Sequence, residues 1–227
     1  MLKYMTYWTD GSTRALHVAS AARLFVPSLN QLLPNGFVSQ LQKRWPLPNV
    51  CLMVTAEDQG TAEERIPLLM KTPAAIRGVS IEPMVGPIDL TKCEHPDYSI
   101  AANYLTGCDS RALCDAGVLN WVIVGGESGP KARPMHPAWV YALRDQCIAS
   151  KVPFFFKQWG EWLPRIHATG EQLKHKGTKS GWVSINGNFH DGKDITHCKD
   201  DDENVIRVGR KVADLSVWGN EYKEMPK

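Results

Sequence analysis

Two short apolar runs, and the way each of them stops, constrain this chain more than any other feature. Trp121 to Val124 ends abruptly at Gly125-Gly126-Glu127, and Val152 to Phe156 ends at Lys157-Gln158-Trp159. Between them lie a Gly/Pro-rich loop and a segment that Pro137 opens as an amphipathic helix ending near Ser150. Proline suits a first helical position because its missing N–H would have no partner there anyway. Strand, loop, helix and strand over this length match a right-handed parallel crossover. Each run is apolar at consecutive rather than alternate positions, the pattern of a parallel strand covered on both faces. The polar residues that end each run fall where open α/β sheets and barrels place their ligands.

The same pattern occurs upstream. Val50 to Thr55 reads as a strand ending at Glu57-Asp58, and Ile76 to Ile81 as a strand ending at Glu82-Pro83. A helix over Gln59 to Lys71 connects them. Thr61 and Glu64 have the spacing of a capping box, and Pro67 is expected to kink or split that helix. The fold class that follows is α/β, a partial parallel (βα) barrel or open sheet of about four strands. Val85 to Val118 is long for a connection, and short helices are expected around Tyr98 to Leu105 and Ser110 to Ala116.

After Trp162 the character changes. Gly181 to His190 alternates around Asn186-Gly187, a hairpin signal. The acidic run Lys199 to Glu203 reads as a solvated loop, Val205 to Ala213 as a helix or extended arm, and Trp218 to Tyr222 as a turn. The expected organisation is a divergent amino-terminal arm at 1–45, a barrel core at 46–162 and a small irregular carboxyl-terminal appendage at 163–227.

A net charge of +2 gives no electrostatic case for nucleic acid or a membrane surface as partner. No apolar run reaches the roughly 18 residues of a membrane span, and no secretory signal is evident, so a cytoplasmic location is expected. The six cysteines are scattered, which suits reduced thiols rather than a disulfide framework. Cys93, His95, Cys108 and Cys114 share one loop. Their wide spacing departs from zinc-binding patterns, and no metal site is assigned.

Glu57, Glu82 and Glu127 each follow a strand, so parallel pairing would bring them to one rim. Clustered carboxylates serve acid/base chemistry or bind a cationic group. The bland alternatives are that Glu57 or Asp58 caps the next helix and that Glu82 pairs with an arginine such as Arg77. Gly125, Gly126, Ser128 and Gly129 can form a backbone nest for an anion, or simply a tight turn. Lys157 is placed to meet the carboxylates or a phosphate, or to form a rim salt bridge with Glu127, and Gln158 stands beside it. Arg133 and His136 flank the loop, His136 as neighbour of the helix start rather than as a base. Glu82, Glu127 and Lys157 are the candidate catalytic residues. Glu57, Gly125, Gly126, Ser128, Gly129 and Gln158 are the candidate ligand-binding residues, and a small anionic ligand is the partner they suit.

The strings PNVCLMVTAEDQGTAEERIPLL, VSIEPMVGPIDL, NWVIVGGESGPKARPMHP, RDQC and VPFFFKQWGEW resemble the phage gene-product thirty-seven/sixty-eight family, from about Trp45 to Pro226. The ending RVGRKVADLSVWGNEYKEMP is similar to that family's less closely. Full-length members resemble radical S-adenosylmethionine enzymes, with an amino-terminal cysteine motif for a 4Fe-4S cluster followed by a partial barrel. The resemblance implies that Val50 to Trp159 is the carboxyl-terminal portion of such a barrel. No cysteine precedes Cys51, so the motif has no counterpart here. The implied reading is a truncated or frame-disrupted relative that lacks the cluster and is catalytically impaired. Two alternatives stand beside it: a binding module for a small ligand or a protein, using the barrel rim, and a cluster-independent hydrolase or lyase using the rim carboxylates.

Overall fold

The computed structural model describes residues 46–94, 101–107, 117–169, 179–191, 201–208, 216–217 and 220–226. The amino-terminal arm, His95, Cys108, Cys114 and the helix expected at 110–116 lie outside the described residues.

Strand β1 (Cys51–Thr55) leads through helix α1 (Gln59–Met70) to β2 (Ile76–Ile81). A long connection carries the two-residue strands β3 (Cys93–Glu94) and β4 (Ala101–Ala102), which pair antiparallel. Ala101–Ala102 is therefore extended, where a helix was expected. β5 (Trp121–Gly125), α2 (Pro137–Ser150) and β6 (Phe154–Gln158) follow. The parallel sheet has the order β1-β2-β5-β6, with each pair in register and parallel. Sheet order thus follows chain order, as in a segment of a (βα) barrel or a singly wound open sheet.

Two local predictions about α1 need correction. The capping box sits three residues earlier than Thr61–Glu64, and the alternative reading in which Asp58 caps the helix holds. Asp58 is the N-cap: its carboxylate accepts the Thr61 amide at 2.8 Å, and its own amide donates to the Thr61 hydroxyl at 3.0 Å. Thr61 carries a hydroxyl fit for either role, but Asp58 lies nearer the strand end and takes the cap. Pro67 does not split the helix, which runs unbroken from Gln59 to Met70. α2 begins at Pro137, with His136 as its N-cap: Nδ1 accepts the Ala138 amide at 3.1 Å, and Nε2 meets the Asp201 carbonyl at 3.0 Å.

One face of the sheet is closed. Val54, Val79, Val122 and Phe154 form one cross-strand row, and Ile81, Val124 and Phe156 the next; all are buried, in one cluster with Ile66 and Leu69 of α1 and Val140 and Leu143 of α2. The opposite face carries Met53, Ser80, Ile123 and Phe155, all half-buried, with Thr55 and Lys157 exposed. The expectation of two covered faces is thus corrected among the described residues. A consecutive apolar run records that both sides of a strand tolerate apolar groups, not that both are sealed.

The appendage is more regular than expected. β7 (Trp162–Pro164), β8 (Lys179–Val183), β9 (Phe189–Asp191) and β10 (Glu203–Arg207) form an antiparallel sheet ordered β7-β10-β8-β9. The hairpin at Asn186-Gly187 forms, with Gly187 at φ 84. Val205 lies in β10, so the extended alternative holds there. β11 (Ser216–Val217) and β12 (Asn220–Glu221) pair antiparallel, so Asn220–Glu221 is extended where a turn was expected, and Trp218 and Gly219 lie outside the described residues. β7 straddles positions 162 and 163, and Leu163 and Ile206 join the main core. The two sheets are therefore packed together and not merely linked. Residues 222–224 return to the edge of β6: the Phe156 amide donates to the Tyr222 carbonyl at 2.8 Å, and Lys223 bridges Phe155. This covers a strand edge that would otherwise offer a row of unpaired amides.

Candidate functional site

Parallel pairing brings the chain segments after β1, β2, β5 and β6 to one end of the sheet, and with them Glu57, Glu82, Glu127 and Lys157. The loops there are tied to one another by backbone hydrogen bonds. The Val85 amide donates to the Glu57 carbonyl at 2.9 Å, Met84 to Gly125 at 3.0 Å, and Gly126 to Gln158 at 2.8 Å. The rim is therefore a continuous scaffold and not a set of independent loops.

Glu82 and Lys157 meet across it. Lys157 Nζ lies 2.9 Å from Glu82 Oε1 and 3.0 Å from Oε2. The residues extend strands that are not neighbours: β5 lies between them, so the pair spans about 10 Å of sheet. Gly125 permits this. A methyl group there would stand 3.0 Å from Glu82 Oε1 and 3.1 Å from its Cδ, in the path of the carboxylate. The pair lies on the open face, with the Lys157 side chain 51% exposed and that of Glu82 22%. The expectation that Lys157 meets a strand-end carboxylate holds for Glu82, and the alternative partners are corrected. Arg77 does not reach Glu82; its Nη2 donates to the Thr72 carbonyl at 2.9 Å, just past the end of α1. Lys157 does not pair with Glu127.

Glu127 is held instead by Arg133. Arg133 Nε donates to Oε2 at 2.7 Å, its amide to the same oxygen at 2.9 Å, and Nη2 to Oε1 at 3.2 Å. The Arg133 side chain holds the Glu127 carboxyl below its usual range, with the backbone amide adding to this against partial burial. A carboxylate kept ionised in this way is a poor proton donor and a weak base. Glu57 pairs with Arg65 at 2.8 Å. Asp58, committed to Thr61, is likewise lowered, chiefly by the backbone hydrogen bond. Each of the three strand-end glutamates thus has its own cation. Glu82, Glu127 and Lys157 do not form one triad, since Glu127 is engaged elsewhere.

The glycine loop is not an open nest. The Gly126 amide is spent on Gln158, and the Gly129 amide donates to Glu161 Oε1 at 3.2 Å. A side chain at Gly126 would collide with the Trp159 carbonyl, so that glycine serves the close passage of two backbones. Gln158 Nε2 donates to Ser128 Oγ at 3.3 Å, and Ser128 is exposed. Arg207 of β10 closes the loop from behind, its Nη2 donating to the Gly129 and Pro130 carbonyls, both at 2.9 Å. His136 is 2% exposed, and burial pushes its pKa down, so the ring is a neutral cap and not a rim base.

Sequence reasoning missed Arg65 and Arg207 as loop anchors. Arg65 lies two turns along the helix that follows Glu57, a spacing that points back to the strand end. Arg207, 78 residues from Gly129, had no local signal.

A family model described as Protein of unknown function (DUF5131) matches residues 14–226 of this chain. The chain belongs to that family. The match spans both sheets and begins well upstream of Trp45, where the resemblance of the quoted strings begins. No curated protein and no solved structure matches the chain.

Among the described residues no three His, Cys, Asp or Glu side chains converge to hold a metal ion. Cys147 is buried in the core, where burial pushes its thiol up to about 12, and Cys51 lies within β1. These two do not fit an iron–sulfur cluster. No helix among the described residues is long and apolar enough to cross a membrane. A cavity of about 790 Å³ lies at the amino-terminal ends of β2, β5 and β6, the end opposite the rim, and no sequence feature predicted it.

Proposed function

We infer that this chain carries the carboxyl-terminal portion of a barrel like that of the radical S-adenosylmethionine-like phage proteins, and that its rim binds a small charged ligand without acid/base chemistry. One observation carries the reading: an exposed Lys157 is held over Gly125 by Glu82 on the half-buried face of a parallel sheet, at the carboxyl end. An ion pair in water contributes little to stability, so opening it for a ligand costs little. Once opened, it offers an ammonium to an anionic group and a carboxylate to a cationic one. The hydrolase or lyase reading fares less well, because Glu127 is fixed as a carboxylate by Arg133. Cys51 and Cys147 do not fit a 4Fe-4S centre, so no step is assigned to one, and the chain is proposed to be catalytically impaired as a radical enzyme.

The test uses S-adenosylmethionine as probe, because it carries both an ammonium and a carboxylate. Calorimetric titration of the full chain is expected to show saturable binding that weakens about tenfold in Lys157→Ala, the order of loss when a ligand's charge partner is removed. Equal binding by the variant, or no heat at all, would overturn this reading.

A further inference from the structure

The cavity at the amino-terminal end of the sheet is a separate place from the rim, and its chemistry differs. Ile76, Leu105, Leu119 and Val152 give it apolar walls. Leu105 and Leu119 are each buried, so these walls belong to the packed body of the protein. Three polar groups line it as well: Asn120, Ser150 and Lys151. Asn120 uses its Oδ1 to accept the Arg77 amide, which leaves its NH2 without a partner. Among the described residues the Ser150 hydroxyl and the Lys151 ammonium take part in no hydrogen bond or ion pair. The one carboxylate at the cavity, Glu224, is already engaged, its Oε2 accepting the Phe154 amide at 3.0 Å.

The outer wall is formed by residues 224–226 and is held at Glu224. The Trp121 indole donates to the Glu224 carbonyl at 2.9 Å, and the Glu224 amide donates to the Phe154 carbonyl at 3.3 Å. Lys151 stands at the mouth in a left-handed conformation, φ 57, the one non-glycine residue at positive φ among the described residues. That backbone ends α2 and turns the chain toward Val152 and β6.

We propose that this cavity is a binding site for a small amphipathic anion, an apolar body with a carboxylate or sulfonate head, seated between the apolar walls with its head at Lys151, Asn120 and Ser150. The volume lies in the range of small-molecule sites, which combine apolar walls with a few placed polar groups. The sign of the head follows from the donors: Lys151, Asn120 and Ser150 all offer hydrogen-bond donors, while Glu224 turns one oxygen to the Phe154 amide. The site does not depend on the rim or on any resemblance to another family.

The experiment is fluorescence titration of the full chain with anilinonaphthalene sulfonate, which has an aromatic body and an anionic head. Saturable binding at one site per chain is expected. Lys151→Glu should weaken it about tenfold, and Ala75→Trp, at an exposed position on the cavity wall, should abolish it. Both positions are on the surface, so unchanged thermal unfolding will show that the variants fold. Ile166→Glu, at an exposed apolar position outside the cavity lining, should leave binding unchanged. Decanoate should displace the probe, and decyltrimethylammonium should not. Lack of saturable binding, full binding by Ala75→Trp, loss of binding in Ile166→Glu, or equal displacement by the cationic amphiphile would each overturn the proposal.

Discussion

The two faces of the parallel sheet have the same strands and opposite roles. On one, Val79, Val122 and Val124 are 0% exposed and Phe154 and Phe156 are 1% exposed, closed by α1 and α2. On the other, Ser80, Ile123 and Phe155 are half-buried and Lys157 is exposed. Every second residue of a strand therefore contributes to stability, and the residues between them stay available to solvent and ligand. The closed face requires volume and shape. The open face requires a missing side chain, at Gly125, so that Glu82 can cross to Lys157.

This contrast fixes an order of effects. The largest belongs to Phe154→Ala, which empties the closed face and should cost about 3–5 kcal/mol in denaturant unfolding. Its neighbour Phe155→Ala, on the open face, should cost much less, because partial burial leaves less apolar area to lose. Equal costs would mean that the open face is as closed as the other.

His136→Ala is next. It removes the α2 cap and the partner of the Asp201 carbonyl, and caps of this kind contribute about 1–2 kcal/mol. The pH dependence has a definite sign. Burial lowers the folded-state pKa of His136 below 6.5, so the unfolded chain binds the extra proton first. The stability this residue contributes is complete above its unfolded pKa and is lost as pH falls from there through the folded pKa. His136→Asn, which can still cap, should flatten the unfolding midpoint across that window. A midpoint that rises on acidification in the parent, or the same slope in the variant, would contradict the assignment.

How much of this was legible in the sequence depends on how local each signal is. Consecutive apolar runs and Pro137 located four strands and a helix closely, and Asn186-Gly187 located the hairpin, because each signal lies within the element it specifies. The cap of α1 was legible only as a choice, since Asp58 and Thr61 are both competent and only the strand end decides for Asp58. The convergence of the strand-end carboxylates was legible, but their partners were not. Glu82 reaches Lys157 only because β5 lies between their strands and has glycine at 125, a fact of strand order. The cavity was illegible for the same reason: five separate segments build it.

Gly125→Ala should change stability by less than about 1 kcal/mol, because the Glu82 carboxylate is a mobile end that can move aside. Binding at the rim should change little, because the carboxylate need give way by only a few tenths of an ångström and the pair opens for the ligand in any case. The smallest stability effect is expected of Lys157→Ala, within about 0.5 kcal/mol of the parent, as for an exposed ion pair.

The central claim is that Lys157, on the open face, is where the rim meets its ligand. Nuclear magnetic resonance of the full chain with isotope-labelled dimethyl-lysine groups tests it directly, with the Lys157 signal identified by its absence in Lys157→Arg. On titration with S-adenosylmethionine the Lys157 signal should shift and saturate, and the Lys151 signal at the far end of the sheet should stay in place. A saturating ligand that leaves Lys157 unmoved would contradict the account.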